Sequence, residues 1–177
     1  MVNYLQNYAC CFIGHRKLEL DFPKEYLFNV IKHLIVDIGV RKFLFGCNSE
    51  FNDLCHQIVT SFKQTYPDIV RINYPLASSA KIISKTKQDL EETLKKFYQH
   101  NIYICDYDEF ITPFESSKSG GYLYIKRNFE MVKNSDLIVA YLRNAKSKNN
   151  KTNRTTNSGT KLAVDFAINL KKDIIYI

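Results

Sequence analysis

The stretch that most constrains this chain is Cys10, Cys11, Phe12, Ile13, Gly14, His15, Arg16, a short apolar run that stops at a glycine followed by two nitrogen-bearing side chains. It reads as a buried strand delivering its last residues into a turn, and a helical pattern follows from Asp21. Strand, turn, helix is the unit that opens nucleotide-binding α/β domains, in which the turn lies outside the carboxyl end of the strand and offers backbone N–H groups to a ligand.

The rest of the chain repeats this unit. Leu27, Val30, Ile31, Leu34, Ile35 and Ile38 recur at helical spacing, with Asp21 as N-cap and Gly39 as the stop. Lys42 to Gly46 is a second strand ending at a glycine. Phe51, Leu54, Cys55, Ile58 and Phe62 mark a helix begun at Asn48 or Ser49 and finished before Pro67. Ile69 to Tyr74 is a third strand. Thr86 to Tyr98 is expected to be a polar surface helix and Asn101 to Cys105 a fourth strand. Asp106 to Gly121, with a proline, two adjacent glycines and several serines, reads as irregular. A helix from about Tyr122 to Asn134 leads into a strand at Asp136 to Leu142. Arg143 to Asn157 holds no acid and reads as a loop. Ser158, Gly159 and Thr160 start a last helix, and Asp173 to Ile177 closes as a strand. Such alternation predicts an α/β fold, a Rossmann-like three-layer sandwich with a mainly parallel sheet and helices on both faces.

Its 177 residues suit one domain, residues 1–177, with a full core. No run approaches the roughly 18 apolar residues of a membrane span, and no segment has the order of a signal peptide. Five cysteines, mostly inside apolar runs, fit reduced core thiols in a cytoplasmic protein. Cys47 and Cys55 lack zinc-site spacing and the histidines are scattered, so neither metal nor cofactor is expected. The net charge of +7 favours an anionic partner without saying which.

In a parallel sheet every strand-to-helix turn emerges on one rim, so the candidate groups converge there. Gly14 permits close backbone approach, or simply makes a tight turn. His15 and Arg16 supply donors for a phosphate or ribose. Gly46, Asn48 and Ser49 stand at the second turn, where the polar side chains equally serve as ordinary helix caps. Glu50 is the best-placed acid for catalysis, with Asp53 beside it. Arg127 and Asn128, expected near the start of their helix, offer a phosphate clamp or a surface salt bridge. Ser158, Gly159 and Thr160 offer N–H groups at a helix start.

Taken in order, CCFIGHRK, FLFGCNSEFNDLC, KRNFEMVKNSDLIVAYL and SGTKLAVDFAINLKKDIIYI resemble the YpsA-like proteins of the SLOG superfamily, which also holds the Lonely Guy cytokinin-activating proteins and the DprA single-strand DNA-binding proteins. The resemblance implies a rim that binds a nucleotide or nucleotide-derived ligand, ADP-ribose-like among them. It sets Gly14, His15 and Arg16 on the family's first turn, Gly46 on its second, and Arg127 with Met131 on the Arg-x-x-x-Met spacing of the Lonely Guy branch. Ser158, Gly159 and Thr160 stand where relatives carry Gly-Gly-Thr or Gly-x-Gly-Thr. Three departures accompany it. Glu50, Phe51, Asn52 replace a Gly-x-Asp step, Ser158 replaces a glycine, and the acid of the phosphoribohydrolase branch becomes Ala163, with Asp165 about 200° round the helix from it.

Three functions follow as expectations. The first is binding or sensing of a nucleotide-like small molecule. The second is hydrolysis of an N-glycosidic bond, with Glu50 or Asp53 assisting a water. The third is single-stranded nucleic-acid binding, suggested by the charge, the basic stretch from Lys146 to Arg154 and twelve tyrosines. No membrane partner is expected, and a homodimer is expected by analogy alone.

Overall fold

The structure is a computed structural model, and it describes residues 8–46, 49–75, 107–111, 120–143 and 158–177. Along the chain these form β1 (Ala9–Gly14), α1 (Lys24–His33, continued by a wider π-type turn over Leu34–Ile38), β2 (Lys42–Phe45), α2 (Glu50–Phe62), β3 (Val70–Asn73), β4 (Glu109–Phe110), α3 (Gly120–Lys133), β5 (Leu137–Tyr141), α4 (Gly159–Asn169) and β6 (Asp173–Tyr176). The sheet order is β4-β3-β2-β1-β5-β6, and every pairing is parallel.

The unbroken apolar run of β1 is explained by burial on both faces. Cys10 and Phe12 point into one core with Leu27 and Ile31 of α1 and Phe51, Cys55 and Val59 of α2. Ala9, Cys11 and Ile13 point into the other with Met131 and Val132 of α3 and Ala163, Val164 and Ala167 of α4. The expected three layers, a parallel sheet between two pairs of helices, are therefore present.

Several local expectations need correction. Asp21 does not cap the first helix: α1 starts at Lys24, and its N-cap is Pro23, whose lack of an N–H costs nothing at a helix start. Phe22 explains the delay. It is buried, with its ring 4.8 Å from that of Tyr141, and this anchor holds residues 15–23 as a loop. The stop at Gly39 is as expected, with φ at 85°, but the last turn widens. Val40 N donates to Leu34 O at 2.8 Å, and Arg41 Nη1 takes the carbonyl of Ile35 at 2.7 Å. The stretch expected to be irregular contains β4, two residues too short to show any periodicity. It is held to β3 by Asp108, whose carboxylate accepts from Arg71 N at 2.8 Å and Arg71 Nε at 3.0 Å. Arg127 and Asn128 lie in the middle of α3, because that helix begins at Gly120. The expected helix at 86–98, the strand at 101–105, the loop beyond residue 143 and Asn48 lie outside the described residues.

The sheet order fixes where a ligand can enter. From β1 the chain moves outward through β2 and β3, then returns to the other side of β1 for β5 and β6. The order reverses between β1 and β5, and such a reversal leaves a crevice outside the carboxyl ends of the two strands. Among the described residues no helix is long and apolar enough to cross a membrane.

Candidate anion-binding cleft

At that reversal lies a cleft of about 560 Å³. Its floor is the end of β1. A Cβ on Gly14 would lie 2.2 Å from Phe51 Cδ1, so the glycine exists for the Phe51 ring, which closes the α2 side of the turn. Above it the chain is tied down repeatedly. Ser49 Oγ donates to His15 O at 3.2 Å, and Glu50 N donates to Arg16 O at 2.8 Å. The Glu50 carboxylate accepts from Lys17 Nζ at 2.6 Å and Leu18 N at 2.9 Å. The bond from Lys17, followed by that from Leu18, holds this carboxyl below its ordinary range.

One wall is α3. Arg127 is 5% exposed, and its Nε and Nη2 donate to Asn128 Oδ1 at 3.2 and 3.0 Å. Its guanidinium carbon lies 4.8 Å from the centre of the Tyr124 ring, and that of Arg16 lies 4.6 Å from the same ring. Two guanidinium groups thus share one aromatic ring, an arrangement that orients them. A Cβ on Gly46 would come within 2.9 Å of Arg127 Cζ. Gly46 is therefore the space into which that guanidinium fits, at the end of β2.

Beside α3, the start of α4 also lines the cleft. Ser158 caps it, accepting from Lys161 N at 3.2 Å, and Thr160 Oγ1 donates to Gly14 O at 3.3 Å, which binds the helix end to the floor. Ser158, Gly159 and Thr160 line the cleft, and the N-terminal end of a helix favours anions. Arg143, two residues beyond β5, completes the rim and pairs with Glu19 at 3.5 Å. Burial, then the Arg143 charge, pushes the His15 pKa down against an opposing pull from Glu19.

The cleft gathers Gly14, His15, Arg16, Ser49, Arg127, Asn128, Ser158, Gly159 and Thr160. It does not gather Gly46, which stands behind Arg127, nor Glu50 and Asp53, which lie outside the lining. Ala163 is fully buried in the core between α4 and the sheet. Among the described lining residues Arg16, Lys17, Arg127 and Arg143 carry positive charge and none carries a carboxylate. No cluster of metal-ligating side chains occurs among the described residues.

Among the lining residues that the sequence did not single out, four are polar: Lys17, Asn52, Tyr124 and Arg143. Tyr124 stands one helical turn before Arg127 on the same face, a spacing that could have revealed it. Arg143 and Lys17 needed the strand ends to be placed. Asn52, whose Oδ1 accepts from Gly46 N at 2.9 Å, is indistinguishable in sequence from a surface residue in the first turn of a helix.

The architecture is that of the Rossmann-like α/β proteins, with a basic cleft at the topological switch point. Solved structures with a similar fold include two DNA processing proteins. DNA processing protein A from Helicobacter pylori, which binds single-stranded DNA, aligns with a TM-score of 0.58 at 13% identity over 96% of this chain and 65% of its own. DNA processing protein A from Streptococcus pneumoniae aligns with a TM-score of 0.53 at 11% identity over 97% of this chain and 51% of its own. The chain thus spans less than two thirds of either protein, and at these identities the likeness is one of fold. No family model matches the sequence, and no curated protein does.

Proposed function

We propose that the cleft binds a phosphorylated nucleoside, its phosphate met by Arg16, Arg127 and the N–H groups that open α4. The observation that carries this reading is the pair of guanidinium groups stacked on Tyr124, in a crevice whose described lining holds no carboxylate. An anion gains there from two charge-assisted partners and a helix start, and meets no like charge in that lining. The motif order that resembles the YpsA-like branch of the SLOG superfamily supports the same reading, and with it a cytoplasmic, single-domain, nucleotide-sensing protein. A base-releasing hydrolase has less support, since Glu50 is engaged by Lys17 and Leu18 and lies outside the lining.

Calorimetry with nucleoside mono- and diphosphates and ADP-ribose tests the proposal. At least one should bind stoichiometrically, and Arg127→Ala should weaken it about tenfold or more, the worth of a charge-assisted bond. Absence of heat with every nucleotide would overturn it. Release of free base, abolished by Glu50→Gln, would favour the hydrolase instead. A second reading, single-stranded DNA lying across the rim, is favoured by the fold shared with the Helicobacter pylori protein and by the net charge of +7.

A further inference from the structure

We infer that Glu50 is a positioning residue: it clamps the segment from Arg16 to Leu18 and so sets the Arg16 guanidinium over Tyr124 for ligand binding. The bearing on ligand rests on the reading of the cleft given above, whereas the clamp itself does not.

The loop that carries Arg16 is anchored further on by Glu19, whose N–H donates to Tyr141 Oη at 3.2 Å, and by the buried Phe22. Arg16 and Lys17 are exposed, and nine residues separate β1 from α1. From His15 to Leu18 the contacts come from the first turn of α2, 32 residues on from Leu18. Ser49 Oγ donates to His15 O, Glu50 N to Arg16 O, and the Glu50 carboxylate receives Lys17 Nζ and Leu18 N. One residue thereby holds both the carbonyl of Arg16 and the N–H two residues later, which fixes the backbone from which the Arg16 side chain reaches the ring. The two side-chain contacts are unequal. Lys17 and Glu50 are 75% and 45% exposed, so their ion pair is screened and contributes little. The bond from Leu18 N to a carboxylate oxygen is charge-assisted and fixes the backbone directly. Glu50 also opens a helix, where its charge is favoured, so the carboxylate stays ionised and in place.

Trypsin reads the clamp without any ligand, because its cleavage sites after Arg16 and Lys17 lie inside the clamped segment. Glu50→Ala should raise cleavage there about fivefold under native conditions, the loss of one such bond. Glu50→Gln keeps a neutral acceptor for Leu18 N and should restore most of the protection. Equal cleavage of all three proteins would overturn the clamp. Titration with AMP in a double-mutant cycle then tests the positioning. Glu50→Ala should weaken AMP about fivefold in the native background and not at all in an Arg16→Ala background. An equal loss in both backgrounds would mean that Glu50 does not act through Arg16, and would overturn its role. A clamp that survives trypsin in a protein binding no nucleotide would instead count against the cleft.

Discussion

Two glycines on the rim make room for different things, and the difference is measurable residue by residue. At Gly14 an added methyl group meets the Phe51 ring at 2.2 Å, and that ring is fully buried among Phe12, Phe22 and Tyr141. It has nowhere to go, so Gly14→Ala should destabilise the protein by about 1–3 kcal/mol, the usual cost of overpacking a core. Phe51→Leu should recover part of that loss in the double variant, read as non-additive free energies in urea denaturation. At Gly46 the same methyl meets Arg127 Cζ at 2.9 Å, the far end of a side chain that faces the cleft. Gly46→Ala should therefore shift the guanidinium off Tyr124 and weaken nucleotide binding by about fivefold or more, with a stability change of about 1 kcal/mol or less. If Gly46→Ala costs as much stability as Gly14→Ala while leaving affinity intact, Gly46 is a packing residue and not a support for Arg127.

At the scale of elements, the edge of the sheet depends on one carboxylate. Asp108 joins β4 to β3 and α2 by accepting from Arg71 N and Nε and by pairing with Lys63 Nζ at 2.8 Å. Partial burial would raise its pKa, but the bonds from Arg71 and Lys63 outweigh this and bring it from 3.8 to about 2. A depressed carboxyl pKa stabilises the fold above its unfolded value and loses that contribution as pH falls through the folded one. Stability should thus decline between about pH 4 and pH 2. Asp108→Asn should remove that part of the acid limb and cost about 1–2 kcal/mol at neutral pH, moderated because the group is partly solvated. Thermal melts of both proteins across this range check the sign, and a profile for the Asp108→Asn variant that runs parallel to that of the native protein would refute it. This edge is also where sequence reading failed, for a physical reason. The strands β1, β2 and β5 and the stripes of α1 and α2 were legible because burial on one or both faces imprints a period. A two-residue strand held by an aspartate imprints none. The start of α1 was misplaced because Asp21 is a good cap in isolation, and only the burial of Phe22 keeps it in a loop. Parallel strands end together, and this is why Gly14, Arg16, Arg127 and Gly159 come to line one cleft, whereas Gly46, Glu50 and Asp53 lie outside its lining. What each glycine there accommodates was not legible, since its neighbour lies on another element.

Across the whole molecule, the strand order brings three arginines to neighbouring strand ends. Arg127 covers the end of β2, Arg16 follows β1, and Arg143 follows β5. These are three adjacent strands, whose ends span roughly 10 Å of rim. Such a rim accepts either one phosphorylated nucleoside near Arg16 and Arg127 or a strand whose successive phosphates run along all three. Salt separates the two. A free mononucleotide carries no condensed counterion atmosphere, so its affinity should fall only gently with salt, through Debye screening of charges in a partly enclosed cleft. A single strand in contact with three cations would release counterions at each, with a slope of log K against log salt near −2, at about −0.7 for each contact. The nucleotide reading predicts the gentle dependence for AMP, together with displacement of a labelled oligothymidylate by excess AMP when the strand binds at all, because both need Arg16 and Arg127. Removing Arg143 completes the comparison. Arg143→Ala should leave AMP binding within about twofold and reduce the oligonucleotide slope by about 0.7, one contact's worth. Should the oligonucleotide bind with the steep slope while AMP fails to bind or to compete, the rim is a strand-binding track and the phosphorylated nucleoside is not its ligand.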